Sequence, residues 1–276
     1  MTLSLEQLAI HAVEIANTAG LAILEFFEDG DFEQFNKLDE SPVTSADYAA
    51  NEIVMTELSK LTPDIPIMSE EIENISLAER SLWTRYWLID PLDGTQEFVA
   101  GRSDFAVNIA LIENGKPVLG VIHAPVTKTT FWAVSGLGAH KIFNGKTKSV
   151  SATPVDPKNA YLRVAISRVQ KLETITKFIK PDIALEFVSM GSAALKSCLV
   201  AEGKADIYIR VGPTGEWDTG APQVIVEEAG GCILDSEYAA LSYNQRESVL
   251  NPDFMVLGDR LLDWSTITIP HTSRRD

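Results

Sequence analysis

The sequence predicts a layered α/β protein, and three observations carry that reading. A helical repeat of apolar residues opens the chain, a hairpin and a meander of short strands follow, and after residue 150 strands alternate with helices. An antiparallel sheet fed by helices, followed by an alternating layer, makes two mixed halves. The expected halves are residues 1–150 and 151–276, joined as one compact unit long enough to bury a full core.

In chain order, Leu5, Leu8, Ala12, Ile15, Ala16, Ala19, Ile23 and Phe26 recur at helical spacing and predict a helix over 4–27, ended by Asp29-Gly30-Asp31. His11 lies on it and is assigned no role. The polar stretch 36–47 reads as a loop that turns into a helix running to about Leu61. Thr44 and Asp47 stand three apart, as in a capping box with Asp in the usual Glu position. Capping alone accounts for both residues; the competing role for Asp47 is a carboxylate that orients a catalytic hydroxyl. Residues 65–68 read as a short strand delivering Ser69-Glu70-Glu71. Such an acid pair is commonly only solvated, yet adjacent strand ends would make their acids converge.

The aromatic and apolar run from Tyr86 to Ile89 reads as a buried strand that stops at Asp90-Pro91-Leu92-Asp93-Gly94-Thr95. Asp90 and Asp93 lie across a turn stiffened by Pro91, so both carboxylates can face one point, where bare anions repel unless a cation sits between them. Gly94 lets the backbone approach a ligand, its N–H and that of Thr95 can face an anion, and the Thr95 hydroxyl is free to hold a water. Hard oxygen ligands beside backbone donors suit Mg²⁺ with phosphate. The plainer reading is an Asp-Pro turn capping a helix at Gln96. Residues 105–112 and 117–123 form a hairpin around Glu113-Asn114-Gly115-Lys116, and strands near 130–134 and 140–142 continue the meander through Gly136 and Gly138.

In the second half, residues 162–166 predict a strand, 169–179 a helix, 184–188 a strand, 192–202 a helix opened by Gly191-Ser192, and 206–210 a strand. That last strand enters Arg210-Val211-Gly212-Pro213-Thr214-Gly215-Glu216-Trp217-Asp218, and Trp217-Asp218 opens a helix ending at Gly230-Gly231. Asp218 is either an N-cap or a carboxylate that completes a metal cage. Pro222 is expected in or near the first turn, where it is tolerated. The tail from Ile267 is given no role.

The net charge of -16 opposes a nucleic-acid polymer or an anionic membrane surface as partner. A small phosphorylated substrate is also repelled unless the site carries divalent cations of its own. Two cysteines, Cys198 and Cys232, form no disulfide framework and point to a reducing compartment. The N-terminus lacks a basic segment followed by an apolar one, and no run of about 18 apolar residues predicts a spanning helix. The expected location is the cytoplasm, with peripheral association with the inner membrane left open, and the expected state is a monomer or homodimer.

Ser69-Glu70-Glu71, then Asp90-Pro91-Leu92-Asp93-Gly94-Thr95, then Trp217-Asp218 on a helix ending Glu227-Glu228-Ala229-Gly230-Gly231 resembles the inositol monophosphatase superfamily of Mg²⁺-dependent, lithium-sensitive phosphatases. The match spans about residues 3–260. Glu97-Phe98, Ser41-Pro42-Val43-Thr44, Gly191-Ser192, the run Leu199 to Gly203, and Gly212-Pro213-Thr214 resemble its bacterial 3′(2′),5′-bisphosphate nucleotidase branch. Gln96 departs from the Lys usual there, and Gly220-Ala221-Pro222 departs as well.

The resemblance implies an αβαβα sandwich of the inositol monophosphatase and fructose-1,6-bisphosphatase type. It implies two or three Mg²⁺ ions held by Glu70, Asp90, Asp93 and Asp218 through side chains and by Leu92 through its carbonyl. It also implies that Thr95, hydrogen-bonded toward Asp47, holds the attacking water with Glu70, and that Lys37 is a basic residue near the site. The phosphate is expected against Glu70, Leu92, Asp93, Gly94, Thr95 and Asp218. A second phosphate is expected at Gly191 and Ser192, because a helix N-terminus favours an anion. The implied reaction is hydrolysis of adenosine 3′,5′-bisphosphate to AMP and phosphate. The alternatives are an inositol or sugar phosphatase with the same chemistry, and a non-catalytic phosphate or metal sensor.

Overall fold

Helix α1 (Leu5–Asp29) begins where Ser4 and Gln7 exchange side-chain-to-backbone hydrogen bonds of 2.9 and 3.2 Å, and it stops where Gly30 turns left-handed at φ 67°. The structure, a computed structural model, describes residues 3–36, 42–72, 75–156 and 161–270. Lys37, Ser41 and the tail beyond residue 270 lie outside these.

The first half continues with β1 (Gln34–Asn36), β2 (Pro42–Thr44), α2 (Ser45–Leu61), β3 (Ile67–Ser69), α3 (Leu77–Arg80), β4 (Arg85–Asp93), α4 (Thr95–Val99), β5 (Ala106–Glu113), β6 (Lys116–Ala124), β7 (Thr129–Val134), β8 (Ala139–Phe143) and β9 (Lys146–Val150). The second half holds β10 (Leu162–Ile166), α5 (Leu172–Thr176), β11 (Leu185–Ser189), α6 (Ala193–Ala201), β12 (Ile207–Arg210), α7 (Trp217–Glu228), β13 (Cys232–Asp235) and β14 (Phe254–Leu257). Strands β3 to β9 form a seven-stranded sheet in chain order, antiparallel except where β3 runs parallel to β4. The other large sheet has five strands in the order β11-β10-β12-β14-β13.

Alternate residues of the large sheet feed opposite cores, as a sheet covered on both faces requires. Trp87, Ile89, Val107, Ile109 and Leu111 pack against α1 and α2, whereas Tyr86, Leu88, Ala110 and Ile112 pack against α6 and α7. Those two helices meet Ala165, Tyr208 and Val256 of the second sheet on their far side. The outer face of that sheet buries Val164, Ile207 and Leu257 with Ile175 of α5 and Trp264. The layers are therefore α, β, α, β, α. Among the described residues α1 alone is long and apolar enough to cross a membrane, but Leu8, Ala12, Ile15, Ala19 and Ile23 spend its apolar stripe on the sheet and α2.

Several elements differ from expectation. Part of the stretch read as a loop is the ribbon of β1 and β2. The helix expected over 169–179 shrinks to α5, because the flanking amides of Gln170, Phe178 and Ile179 close three-residue turns in place of continuing the α-helical ladder. Pro222 sits in the second turn of α7, so the Asp218 carbonyl four residues back receives no amide from it. Helix α7 also lies unusually close to the large sheet: a Cβ on Gly120 would stand 2.5 Å from the Ala221 carbonyl oxygen.

Candidate active site

Strand β4 ends in the middle of the molecule because its ladder fails there. Asp90 pairs with Asn108 of β5, and the register then shifts before Asp93, since Pro91 has no amide to give. The freed turn folds back on itself: the Leu92 amide donates to Asp90 Oδ1 at 3.0 Å. Gly94 is left-handed at φ 99°, and a Cβ there would lie 2.9 Å from the Asp104 carbonyl oxygen. Its own carbonyl accepts from the Glu97 and Phe98 amides and starts α4. Beside this turn, the Glu70 amide donates to the Ile89 carbonyl at 3.2 Å, which sets Glu70 at the end of β3 next to Asp90.

Asp47 is buried and divides its two oxygens between the roles that the sequence left as alternatives. Oδ2 accepts from the Thr44 amide at 2.8 Å and the Thr44 hydroxyl at 2.6 Å, which completes the cap of α2. Oδ1 accepts from the Thr95 hydroxyl at 3.0 Å. The Leu92 carbonyl lies 3.1 Å from the same hydroxyl. A donor has one proton, and the carboxylate is the stronger acceptor.

Asp218 comes from the second half, on the first turn of α7, where its Oδ2 accepts from the Gly215 amide at 2.6 Å. A buried brace holds that turn. Arg80, fully enclosed, donates to Asn244 Oδ1 and to the carbonyls of Arg246 and Glu247 at 2.6–2.7 Å. The Asn244 amide in turn donates to Glu216 Oε2 at 2.9 Å, and Asn251 reaches the Gly215 carbonyl at 2.5 Å. Burial pushes the Glu216 carboxyl up to about 7.

The start of α6 departs from expectation. Asp93 occupies it: its Oδ2 accepts from the Ala194 amide at 2.7 Å and from the Ser192 hydroxyl, while Oδ1 accepts from the Ala193 amide at 3.3 Å. Asp104 takes the Gly191 amide at 3.0 Å through its side chain and the Ser192 amide at 3.0 Å through its carbonyl. The donors expected to hold a second phosphate thus have acceptors within the protein, the carboxylates of Asp93 and Asp104 and the Asp104 carbonyl. Gly191 and Ser192 remain on the wall of the cavity with those donors engaged.

Asp90, Asp93 and Asp218 each offer an oxygen within 4.8 Å of the others. Burial, then Glu70, Asp93, Asp218 and Glu71, push the Asp90 carboxyl well above the ordinary carboxylate range. Burial, then Asp93 and Glu70, do the same to Asp218. Asp90 Oδ2 is buried without a hydrogen-bond partner among the described residues. Carboxylate oxygens crowded this way, one of them free, fit a divalent cation that takes oxygen ligands.

The cavity above them, about 480 Å³, is lined by Glu70, Leu92, Gly94, Thr95, Gln96 and Trp217 besides these acids. A larger recess of about 660 Å³ between α1 and α2 is lined by Glu14, Glu52, Glu57 and Lys60 with no comparable convergence of buried groups. Two cations on the cavity wall had been assigned no role from sequence. Arg210 ends β12 with Nε buried and without a hydrogen-bond partner among the described residues, and with Nη2 donating to the Pro213 carbonyl at 2.9 Å. Lys196, brought down to about 8 by burial, donates to the carbonyls of Gly191 and Ser192, the latter at 3.0 Å. The available signals were a lysine inside the apolar run of α6 and an arginine at a strand end.

The model of the inositol monophosphatase family matches residues 4–262. The 3′(2′),5′-bisphosphate nucleotidase CysQ of Aggregatibacter actinomycetemcomitans is 42% identical over 255 residues, covering 92% of this chain and 94% of that protein. The protein of the same name from Haemophilus influenzae is 40% identical over 262 residues, covering 95% of this chain and 97% of that protein. The crystal structure of CysQ from Bacteroides thetaiotaomicron, described as a bacterial member of the family, superposes with a TM-score of 0.77 at 37% identity, covering 91% of this chain and 97% of that one.

Proposed function

This chain belongs to the inositol monophosphatase family, and we propose that within it the chain acts as a metal-dependent 3′(2′),5′-bisphosphate nucleotidase. It removes the 3′-phosphate of adenosine 3′,5′-bisphosphate and releases AMP. The observation that carries this reading is the convergence of Asp90, Asp93 and Asp218 from both halves of the chain, with one oxygen of Asp90 lacking a hydrogen-bond partner among the described residues, beside a threonine hydroxyl held by a buried aspartate.

Asp90, Asp93, Asp218, Glu70 and the Leu92 carbonyl would hold Mg²⁺, in two or three sites. Bound there, the cation supplies a water of lowered pKa and neutralises charge on the phosphoryl oxygens. Thr95 commits its proton to Asp47, which leaves its lone pairs to accept from the attacking water. Glu70 accepts the water's other proton and so aligns an oxygen lone pair with phosphorus. The Gly94 and Thr95 amides donate to phosphoryl oxygens, while the bond to the ribose 3′ oxygen breaks on the Asp218 side and that oxygen takes a proton from a solvent water to leave as the 3′-hydroxyl of AMP. Positioning and charge neutralisation account for most of the rate in phosphoryl transfer, and no phosphoenzyme forms.

With the start of α6 taken by Asp93, the remote 5′-phosphate is assigned to Arg210, the cation whose Nε lacks a partner among the described residues. The enzyme works in the cytoplasm, in keeping with the free thiols of Cys198 and Cys232. Phosphate release from adenosine 3′,5′-bisphosphate tests the function: it requires added Mg²⁺ and stops with EDTA. Turnover that persists in EDTA contradicts the metal assignment, and no phosphate release with Mg²⁺ contradicts the enzyme reading.

A further inference from the structure

Asn108 is an anomaly that the proposed chemistry does not use. It sits on β5 directly opposite Asp90, at the last regular rung before the ladder breaks. Side chains opposite each other in an antiparallel pair share a face, with Cβ atoms about 4.5–5.5 Å apart. Asn108 is 1% exposed, and neither its amide oxygen nor its amide nitrogen finds a hydrogen-bond partner among the described residues. Asp90 Oδ2, on the neighbouring strand, is equally alone. The residues two before and two after Asn108 on the same face are Ala106 and Ala110, and Ile122 lies opposite on β6.

A carboxamide in an apolar wall is a costly choice where Ser, Ala or Val would fill the space, and buried polar groups are normally satisfied, by an internal water if not by protein. The neighbours on the same face are alanines, and the carboxylate directly across the rung carries an acceptor oxygen without a partner among the described residues. We propose that Asn108 is a positioning residue for Asp90, its N–H groups reaching the free Asp90 oxygen through one internal water. Asp90 is then held at both oxygens, Oδ1 by the Leu92 amide and Oδ2 by the relay from Asn108. A carboxylate oxygen has two lone pairs, so one can take the water while the other faces the cavity. Without Asn108, only the Leu92 contact opposes rotation of the carboxylate, and the cluster loses its set geometry before any metal arrives.

This inference rests on the metal reading of Asp90, Asp93 and Asp218. It predicts effects of opposite sign on metal binding and on stability. In Asn108→Leu the side chain is nearly isosteric, and the buried carboxamide leaves the core together with its water, an exchange for an apolar group of the same shape that is close to neutral or stabilising. The full-length variant should melt in EDTA at or above the wild-type temperature, yet bind Mn²⁺ or Mg²⁺ about 10–100-fold more weakly by calorimetry without substrate. Asn108→Ala should show the same loss of metal affinity should the leucine not pack. Asn108→Ser, whose hydroxyl can hold the water, should recover binding to within about threefold of wild type. The activation constant for Mg²⁺ should rise with these losses while kcat at saturating metal stays within several-fold.

Leu and Ala variants that bind metal within about twofold of wild type overturn the proposal, as does a Ser variant no better than Leu. Failure of the wild-type protein to bind metal would instead defeat the metal reading on which it rests.

Discussion

Asp47→Asn separates the two tasks that the Asp47 carboxylate performs. The Thr44 amide and hydroxyl both donate to Oδ2, at 2.8 and 2.6 Å. A backbone N–H cannot be reversed, so the new side chain must place its oxygen there and its NH₂ toward Thr95. The helix cap survives without its charge, a loss of about 1–2 kcal/mol, or roughly 2–6 °C in melting temperature for a chain of this size. The NH₂ now donates to Thr95 and takes one of its two lone pairs, while the threonine proton turns away from residue 47, toward the Leu92 carbonyl or into the space of the attacking water. The attacking water loses its orientation, and kcat should fall about 100–10,000-fold while KM stays within several-fold. Thr95→Ala should match that loss, and Thr95→Ser should retain much of the activity. Thr44→Ala is the control: it gives up about 1 kcal/mol of capping but leaves the Oδ1 contact to Thr95, so kcat should hold within about threefold. Steady-state kinetics and thermal unfolding of the four variants decide the matter. An Asp47→Asn enzyme within about threefold of wild-type kcat would refute the assigned role of the Thr95 hydroxyl.

Metal binding should release protons. The Asp90 and Asp218 carboxyls are raised in the metal-free protein, so above the unfolded carboxylate range the folded state holds more protons than the unfolded one. Stability in EDTA therefore falls as pH climbs through that window, the gain in melting temperature on adding Mg²⁺ grows from about pH 5 to about pH 8, and metal affinity tightens. Calorimetry in two buffers of different ionisation heat reads the protons, and zero release would contradict the raised carboxyls. Gly120→Ala puts a methyl 2.5 Å from the Ala221 carbonyl and 2.9 Å from its Cα, neither of which can rotate away. Helix α7 must back off, which should cost about 1–3 kcal/mol and weaken metal binding through Asp218; Gly30→Ala, with nothing within 4 Å, should leave metal affinity unchanged.

Much of this architecture was legible because apolar spacing and turn residues agree in the same places. The Asn114-Gly115 turn has both residues at positive φ, as the hairpin between β5 and β6 requires. The acidic strand end was legible because Pro91 and Gly94 are poor strand formers and so announce a break. The second half was harder to read. Apolar spacing over 169–179 did not show that only Leu172–Thr176 would be α-helical, and β13 and β14 were not anticipated. A carboxylate's partners lie outside any local pattern. Asp47 serves α2 and Thr95 with different oxygens, and Asp93 reaches 101 residues along the chain to cap α6. For that reason no local pattern signalled that the first donors of α6 would already have acceptors within the protein. Arg80 was silent in sequence, because a buried arginine and an exposed one look alike until Asn244 and residues 246–247 close around it.

The most direct test compares kcat/KM for adenosine 3′,5′-bisphosphate, 3′-AMP and inositol 1-phosphate at saturating Mg²⁺. The bisphosphate carries a second anion for Arg210, and a well-used charged contact contributes about 2.8 kcal/mol in the transition state, or roughly a hundredfold in rate. The bisphosphate should exceed both other substrates by at least about that factor, and Arg210→Met should erase most of the advantage over 3′-AMP. Equal efficiency on inositol 1-phosphate would contradict the nucleotidase assignment while leaving the acidic metal site intact.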